Sequence, residues 1–295
     1  MTLDLFDSKI MSADISEYFE VFRELISTIG MSKEHHGLLR PLDYIEDVDV
    51  VDQPLITSPI DEKMVIVNPK QAAQSHIYPR CAYWQLGWDL AQPFIAIRSD
   101  ILVRLNRVMS VLREISPNLT IHIMDGWRPV ELQSKFYDVV HPGGHIPGTP
   151  LYINPPETKP NHASPHNTGG TVDILIGVDD VAVAFGTTFD CFDFPSNTAH
   201  FETANSLDKQ EQSVIELVRD VRRVLVNVMV EAGFIVSKSE WWHFERGTRR
   251  WASITGKPAF YGRAEISPEL LSGVEPVSII PGSPREQIFQ NSKKK

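Results

Sequence analysis

The sequence predicts an α+β fold, a single domain whose mainly antiparallel sheet is flanked by helices. Three features predict it. Apolar residues at three- and four-residue steps mark amphipathic helices, short alternating runs between them mark strands, and two of those strands, 171–176 and 181–185, lie at hairpin spacing. At 295 residues and 42% hydrophobic content, the chain has enough apolar material for one large core.

In chain order, Ile15, Tyr18, Phe19, Phe22, Leu25, Ile26 and Ile29 repeat as the buried face of a helix that ends near Gly30. Residues 31 to about 62 mix charge and proline, and Met64–Val67 reads as a short strand. Ser99 or Asp100 is placed to cap a second helix, whose face is Ile101, Leu102, Leu105, Val108, Met109, Leu112 and Ile115 and whose end is set by Pro117. Leu119, Ile121 and Ile123 alternate with polar neighbours as a half-buried strand, which runs into the turn Asp125-Gly126-Trp127-Arg128-Pro129. Pro129 suits the first position of a helix reaching about Val140, where a missing N–H costs nothing.

From His141 to Pro165 seven prolines and three glycines preclude regular structure. Loops of that length inside a domain are usually lids or binding loops. A long helix from about Leu207 to Ala232 stops at Gly233, and Trp241–Arg246 is expected as the last strand. Beyond Gly262 no periodicity suggests a packed element. The expected organisation is an N-terminal helical extension at 1–60, a core at 61–262 and a peripheral tail at 263–295.

Composition excludes several classes. A net charge of -10 with no interior basic stripe disfavours nucleic acid as a partner. The first twenty residues show no basic segment followed by an apolar run, so the expected location is the cytoplasm. The most apolar later stretch, Val224–Val236, is broken by Asn227, Glu231 and Gly233, which argues against a membrane span. Cys81 and Cys191 are too few for a disulfide framework and read as core thiols.

Chemistry concentrates in two places. Asp173 sits in the apolar strand Thr171-Val172-Asp173-Ile174-Leu175-Ile176, where an unpaired carboxylate would cost several kcal/mol to bury, so it requires a cationic partner. Seven residues earlier, His166 lies in Ser164-Pro165-His166-Asn167-Thr168-Gly169-Gly170, whose glycines let the backbone turn. Glu240-Trp241-Trp242-His243 offers a second imidazole, and two histidines with one carboxylate form a recurring catalytic zinc set that leaves a position open for water. Singly, a histidine beside apolar residues is usually a satisfied core residue, and a strand aspartate more often pairs with arginine. The joint pattern is what points to a metal. His141, His145 and His162 lack a carboxylate at suitable spacing, and Trp241 and Trp242 read as packing residues around the site.

The pattern Ser-x-His-x6-Asp, followed after about 70 residues by Glu-x-Trp-His, resembles the D-alanyl-D-alanine dipeptidase family of zinc peptidases, relatives of D-Ala-D-Ala carboxypeptidases and of Hedgehog-type zinc folds. The resemblance also takes in Asp125–Pro129 and Gly186-Thr187-Thr188-Phe189-Asp190, and it covers roughly residues 75–250. It implies one Zn2+ per chain held on the sheet by His166, Asp173 and His243, with Glu240 as general base toward a metal-activated water. It implies Arg128 as the group stabilising the oxyanion, and Asp190 with Ser164 as the pocket for the dipeptide's ammonium. The implied substrate is D-alanyl-D-alanine or a similar small dipeptide.

Two other readings stand beside it, a D,D-carboxypeptidase or endopeptidase on peptidoglycan peptides and a non-catalytic zinc-binding module of the same fold. Thr171 replaces the family's usual alanine and Pro165 a serine, which bears on pocket shape. A flat strand would point Glu240 and His243 to opposite faces, so a bend between them is required.

Overall fold

The hydrophobic periodicities become layers in a computed structural model that describes residues 11–49, 52–147, 149, 151, 153–156 and 160–293. The chain runs β1 (Ala13–Asp14), α1 (Phe19–Met31), β2 (Met64–Ile66), α2 (Ala72–Ser75), β3 (Ile77–Pro79), α3 (Ala82–Gln85), β4 (Ala96–Arg98), α4 (Ser99–Ile115), β5 (Leu119–Asp125) and α5 (Val130–Val140). It continues through β6 (Thr171–Val178), β7 (Val181–Ala184), α6 (Lys209–Glu231), β8 (Ile235–Val236), β9 (His243–Glu245), α7 (Arg249–Thr255), α8 (Pro268–Leu271) and α9 (Pro284–Ser292).

The main sheet has the order β1-β7-β6-β5-β3, with β9 pairing β6 and β8 pairing β9. Its pairs β5/β6, β6/β7, β6/β9 and β8/β9 are antiparallel, whereas β3/β5 and β1/β7 are parallel. The sheet is therefore mixed. The parallel pairs come from strands of two and three residues, too short to show a period of two in the sequence.

β6 is the central strand, and all eight of its residues are buried. One edge pairs along its length with β5, while the other edge is divided, its first three residues facing β9 and its last two facing β7. Asp173 is thereby set in register with Asp125 on one side and His243 on the other.

Helices cover the sheet with the faces their spacing prescribes. Ile101, Leu105, Val108, Met109 and Leu112 of α4 and Leu217, Val218, Val221, Val224, Leu225 and Val228 of α6 lie in one core cluster with the strands. Phe22, Leu25 and Ile29 of α1 belong to the same cluster, and the Phe22 ring meets Phe185 edge-on at 5.6 Å. The buried Asn227 of α6 bonds to the 38–44 segment: its Oδ1 accepts from Arg40 and Tyr44, and its Nδ2 donates to the carbonyls of Leu38 and Arg40. A buried amide in mid-helix is tolerated because it is satisfied in this way.

Helix ends differ in detail from expectation. α4 begins at Ser99 itself, and its first turn is capped from outside: the Glu62 carboxylate accepts from Asp100 N at 2.5 Å and Ser99 Oγ at 2.6 Å. α5 starts one residue after Pro129, whose backbone is extended. Asp208 caps α6 conventionally, accepting from Gln210 N and Glu211 N. The C-terminal segment holds α8 and α9, and Val277 between them is buried with its N–H on Pro93 O. Backbone contacts of that kind leave no periodic trace in a sequence. Among the described residues, no helix is long and apolar enough to cross a membrane.

Because Phe22 is fully buried against the sheet, Phe22→Ala is expected to lower the stability of the whole chain by about 3–5 kcal/mol. Urea unfolding followed by circular dichroism should show the midpoint of the main transition fall; an unchanged midpoint would mean that α1 is energetically separate.

Candidate active site

Three local devices deliver the site. His166 stands in a short 3-10 turn, Pro165–Thr168, closed by Gly169 at φ +70, where an added Cβ would lie 2.6 Å from Met64. That turn is tied to the β5–α5 junction, since Arg128 N donates to His166 O and Asn167 Nδ2 donates to Arg128 O. Asp173 comes from the register of β6. His243 follows a tight turn at Trp241-Trp242, with His243 N donating to Glu240 O at 3.2 Å, and the last strand spans only His243–Glu245. This turn is the bend that lets Glu240 and His243 face one centre, and it shortens the strand expected over 241–246.

His166, Asp173 and His243 each offer a ligand atom, and these atoms lie within 4.8 Å of one another. The two rings are 5.0 Å apart between centroids. His166 Nε2 is 3.4 Å from Asp173 Oδ2, and His243 Nδ1 is 3.0 Å from Asp173 Oδ1. Ligands of a tetrahedral ion bonded at about 2.0 Å lie about 3.3 Å from each other, close to the two imidazole–carboxylate spacings.

The donor chemistry fits as well. Asp173 Oδ1 is buried and has no aligned hydrogen-bond partner, although His243 is in contact with it. His166 Nδ1 donates to Gly126 O at 2.7 Å, leaving Nε2 as the lone pair. His243 Nε2 is 3.0 Å from Glu245 Oε1, leaving Nδ1 on the Asp173 side. The set can hold a metal ion.

Electrostatics separate the two imidazoles. Burial and the nearby Arg128 charge push the His166 pKa down to about 3, so this ring is neutral. Burial also disfavours a charged His243, but contact with Asp173 and Glu245 outweighs it and raises the pKa to about 10. A metal entering here must displace that proton.

Around the cluster stand the other residues singled out in the sequence. Glu240 Oε2 is 3.9 Å from His243 Nδ1, and burial, reinforced by Asp173, lifts the Glu240 pKa to about 7. Arg128 is 2% exposed and locked: Nε and Nη2 donate to Asp125 Oδ2 at 3.1 and 2.8 Å, Nη1 to Gln133 Oε1, and Nη2 also to Tyr83 Oη. Asp190 accepts from Tyr83 Oη at 2.8 Å, and burial together with the Asp173 charge pushes its carboxyl well up. Its backbone is left-handed at φ 57, a conformation costing a non-glycine residue about 1–3 kcal/mol and typical of functional positions. Ser164 Oγ is buried with no hydrogen-bond partner among the described residues.

Glu240, Arg128, Asp190 and Ser164 line one narrow cavity together with the cluster, and Leu151, Ile153 and Asn154 of the proline-rich segment form part of its cover. Asn154 O accepts from Gln133 Nε2, so the cover is tied through Gln133 to Arg128. A larger apolar cavity beside Tyr44 and Trp251 contains no comparable convergence of titratable groups. His141 and His145 meet at 5.4 Å between ring centroids, and neither belongs to the cluster. Trp241 and Trp242 are fully buried and pack on Phe185 and Phe189. Cys81 is buried and Cys191 partly so, both as free thiols.

Four residues around the cluster were given no role by the sequence: Tyr83, Asp125, Gln133 and Glu245. Asp125 was visible as the strand's last residue, and the alternation of β9 puts Glu245 on the face of His243. Tyr83 and Gln133 carry no local signal at all.

Two imidazoles and a carboxylate, with a buried acid and a fixed guanidinium beside them in a small cavity, make up the equipment of a hydrolase that can use a metal ion. The comparisons give that class its family. The model of the peptidase M15 family, described as D-ala-D-ala dipeptidase, matches residues 98–255, and the chain belongs to that family. A D-alanyl-D-alanine dipeptidase of Synechocystis sp. is similar, 28% identical over 214 residues that take in 62% of this chain and 85% of that protein.

Asp125→Ala would leave the Arg128 charge buried without its carboxylate, at an expected cost of about 3–5 kcal/mol. Chemical denaturation of purified variant and wild type measures it, and a loss below 1 kcal/mol would show that Asp125 is not the counter-ion that matters.

Proposed function

We propose that the chain is a zinc-dependent dipeptidase that hydrolyses D-alanyl-D-alanine or a similarly small dipeptide in the cytoplasm. The observation that carries this reading is the cluster of His166, Asp173 and His243 in a narrow cavity that Glu240, Arg128 and Asp190 also line. His166 Nε2, Asp173 and His243 Nδ1 would hold the zinc. When bound, it supplies a Lewis acid that polarises the scissile carbonyl and makes water a competent nucleophile near neutral pH.

The protein's own groups do the rest. Glu240, whose pKa burial brings to about 7, takes the proton of the attacking water and returns it to the leaving amine, and a pKa near the working pH suits both transfers. Arg128 is preorganised by Asp125, Gln133 and Tyr83, so its charge faces the developing oxyanion without reorganising. Asp190 and the Tyr83 hydroxyl receive the substrate's ammonium, and the unpartnered Ser164 hydroxyl lines the same pocket. Leu151, Ile153 and Asn154 narrow the cavity, which favours a dipeptide over a polymeric peptidoglycan strand. Buried Glu240 and Arg128 also favour turnover over a purely zinc-binding role.

The test is release of free D-alanine from D-alanyl-D-alanine by purified protein, lost on chelation and restored by zinc. Glu240→Gln is expected to keep stoichiometric metal and to lose about 10²- to 10⁴-fold in kcat. Near-normal turnover by that variant, or zinc binding by wild type without hydrolysis of any dipeptide in a panel of both chiralities, would overturn the reading.

A further inference from the structure

Glu245 occupies an unusual place for a carboxylate. It is 0% exposed, on the short strand β9, in register opposite Thr171 on one side and Ile235 on the other. A charge so placed costs several kcal/mol unless its oxygens are satisfied. They are satisfied completely: Oε1 lies 3.0 Å from His243 Nε2 and 3.1 Å from Arg250 Nη1, and Oε2 accepts from Thr248 Oγ1 at 2.5 Å. Because residues two apart in a strand share a face, His243 and Glu245 are neighbours by construction.

We propose that Glu245 is a positioning residue of the metal centre: its Oε1 accepts a hydrogen bond from His243 Nε2–H, so that Nδ1, on the side of Asp173, is the ring nitrogen available to a metal. Thr248 and Arg250 hold the Glu245 carboxylate still. The inference rests on the reading of His166, Asp173 and His243 as a metal set.

The geometry favours this over a plain ion pair with Arg250. An ion pair alone would not place a carboxylate oxygen within hydrogen-bond reach of the ring nitrogen that faces away from Asp173. The other imidazole has an equivalent device of a different kind, the Gly126 carbonyl on His166 Nδ1. The two rings thus present opposite nitrogens to the centre, Nε2 from His166 and Nδ1 from His243, and each choice is set by what the remaining nitrogen touches.

The experiment is a chelator competition that measures zinc and cobalt dissociation constants for wild type, Glu245→Gln, Thr248→Val and Arg250→Met, with circular dichroism confirming that each protein is folded at the temperature used. Glu245→Gln is expected to weaken binding about 10- to 100-fold, with a change in the visible absorption of the cobalt form, and the other two variants by smaller factors. A folded Glu245→Gln with wild-type affinity for both ions overturns the proposal. Should Glu245→Gln fail to fold, Thr248→Val and Arg250→Met decide it, and wild-type affinity in both overturns it. A wild-type chain that binds neither ion overturns the metal centre itself, an outcome distinct from failure of the positioning role.

Discussion

The structure is organised around the burial of one carboxylate. Asp173 is the third residue of the fully buried strand β6, flanked in register by Asp125 and His243. Its side chain is nearly inaccessible to water, and His166, His243 and Arg128 together hold its pKa down despite that burial. A charge in such surroundings is stable only if the groups around it are placed with care, so the turns, caps and loops near it are all constrained. The tight turn before β9, the glycine after His166 and the tie between residues 126–128 and 166–167 are consequences of that requirement.

Beyond the three converging side chains lies a second layer that fixes them. Gly126 O orients His166, Glu245 contacts His243, and Asp125, Gln133 and Tyr83 fix Arg128. Aromatic rings fill the space behind it: Tyr83, Phe136 and Trp88 pack edge-on at 4.7 to 6.2 Å, and the Arg128 guanidinium sits over Tyr83 and Phe136. These rings exclude water, lower the local dielectric and strengthen every polar contact in the site. Rigidity near the chemistry is thus a property of the hydrophobic core as much as of the polar network.

The strained Asp190 illustrates how the layers cooperate. Its left-handed backbone is held between Phe189, buried against Tyr83 and Trp242, and a segment anchored by Arg222, which donates to Phe185 O and Asn197 O from the core. Arg222 has two backbone carbonyls and the faces of Phe201 and Trp241 as its surroundings. A buried cation serving backbone carbonyls is costly, and here it fixes the course of the chain on both sides of Asp190.

Apolar spacing along the chain was enough to locate α1, α4, α5, α6, β5, β6 and β7 to within a few residues, because helix and strand periods are local properties. Residue chemistry was enough to single out His166, Asp173 and His243, since a carboxylate in an apolar strand requires a cationic partner wherever the chain finds one. Only the tertiary structure decided that β1 and β3 add parallel strands, that Glu62 caps α4, and that Asp125, Tyr83, Gln133 and Glu245 surround the site. Strand register, the Glu62 cap and the Tyr83 contacts join residues tens of positions apart, whereas Asp125, Gln133 and Glu245 lie within five residues of the side chains they hold and needed only the fold to show what they face. Their energies depend on distance in space, and no pattern of neighbours in sequence encodes that distance.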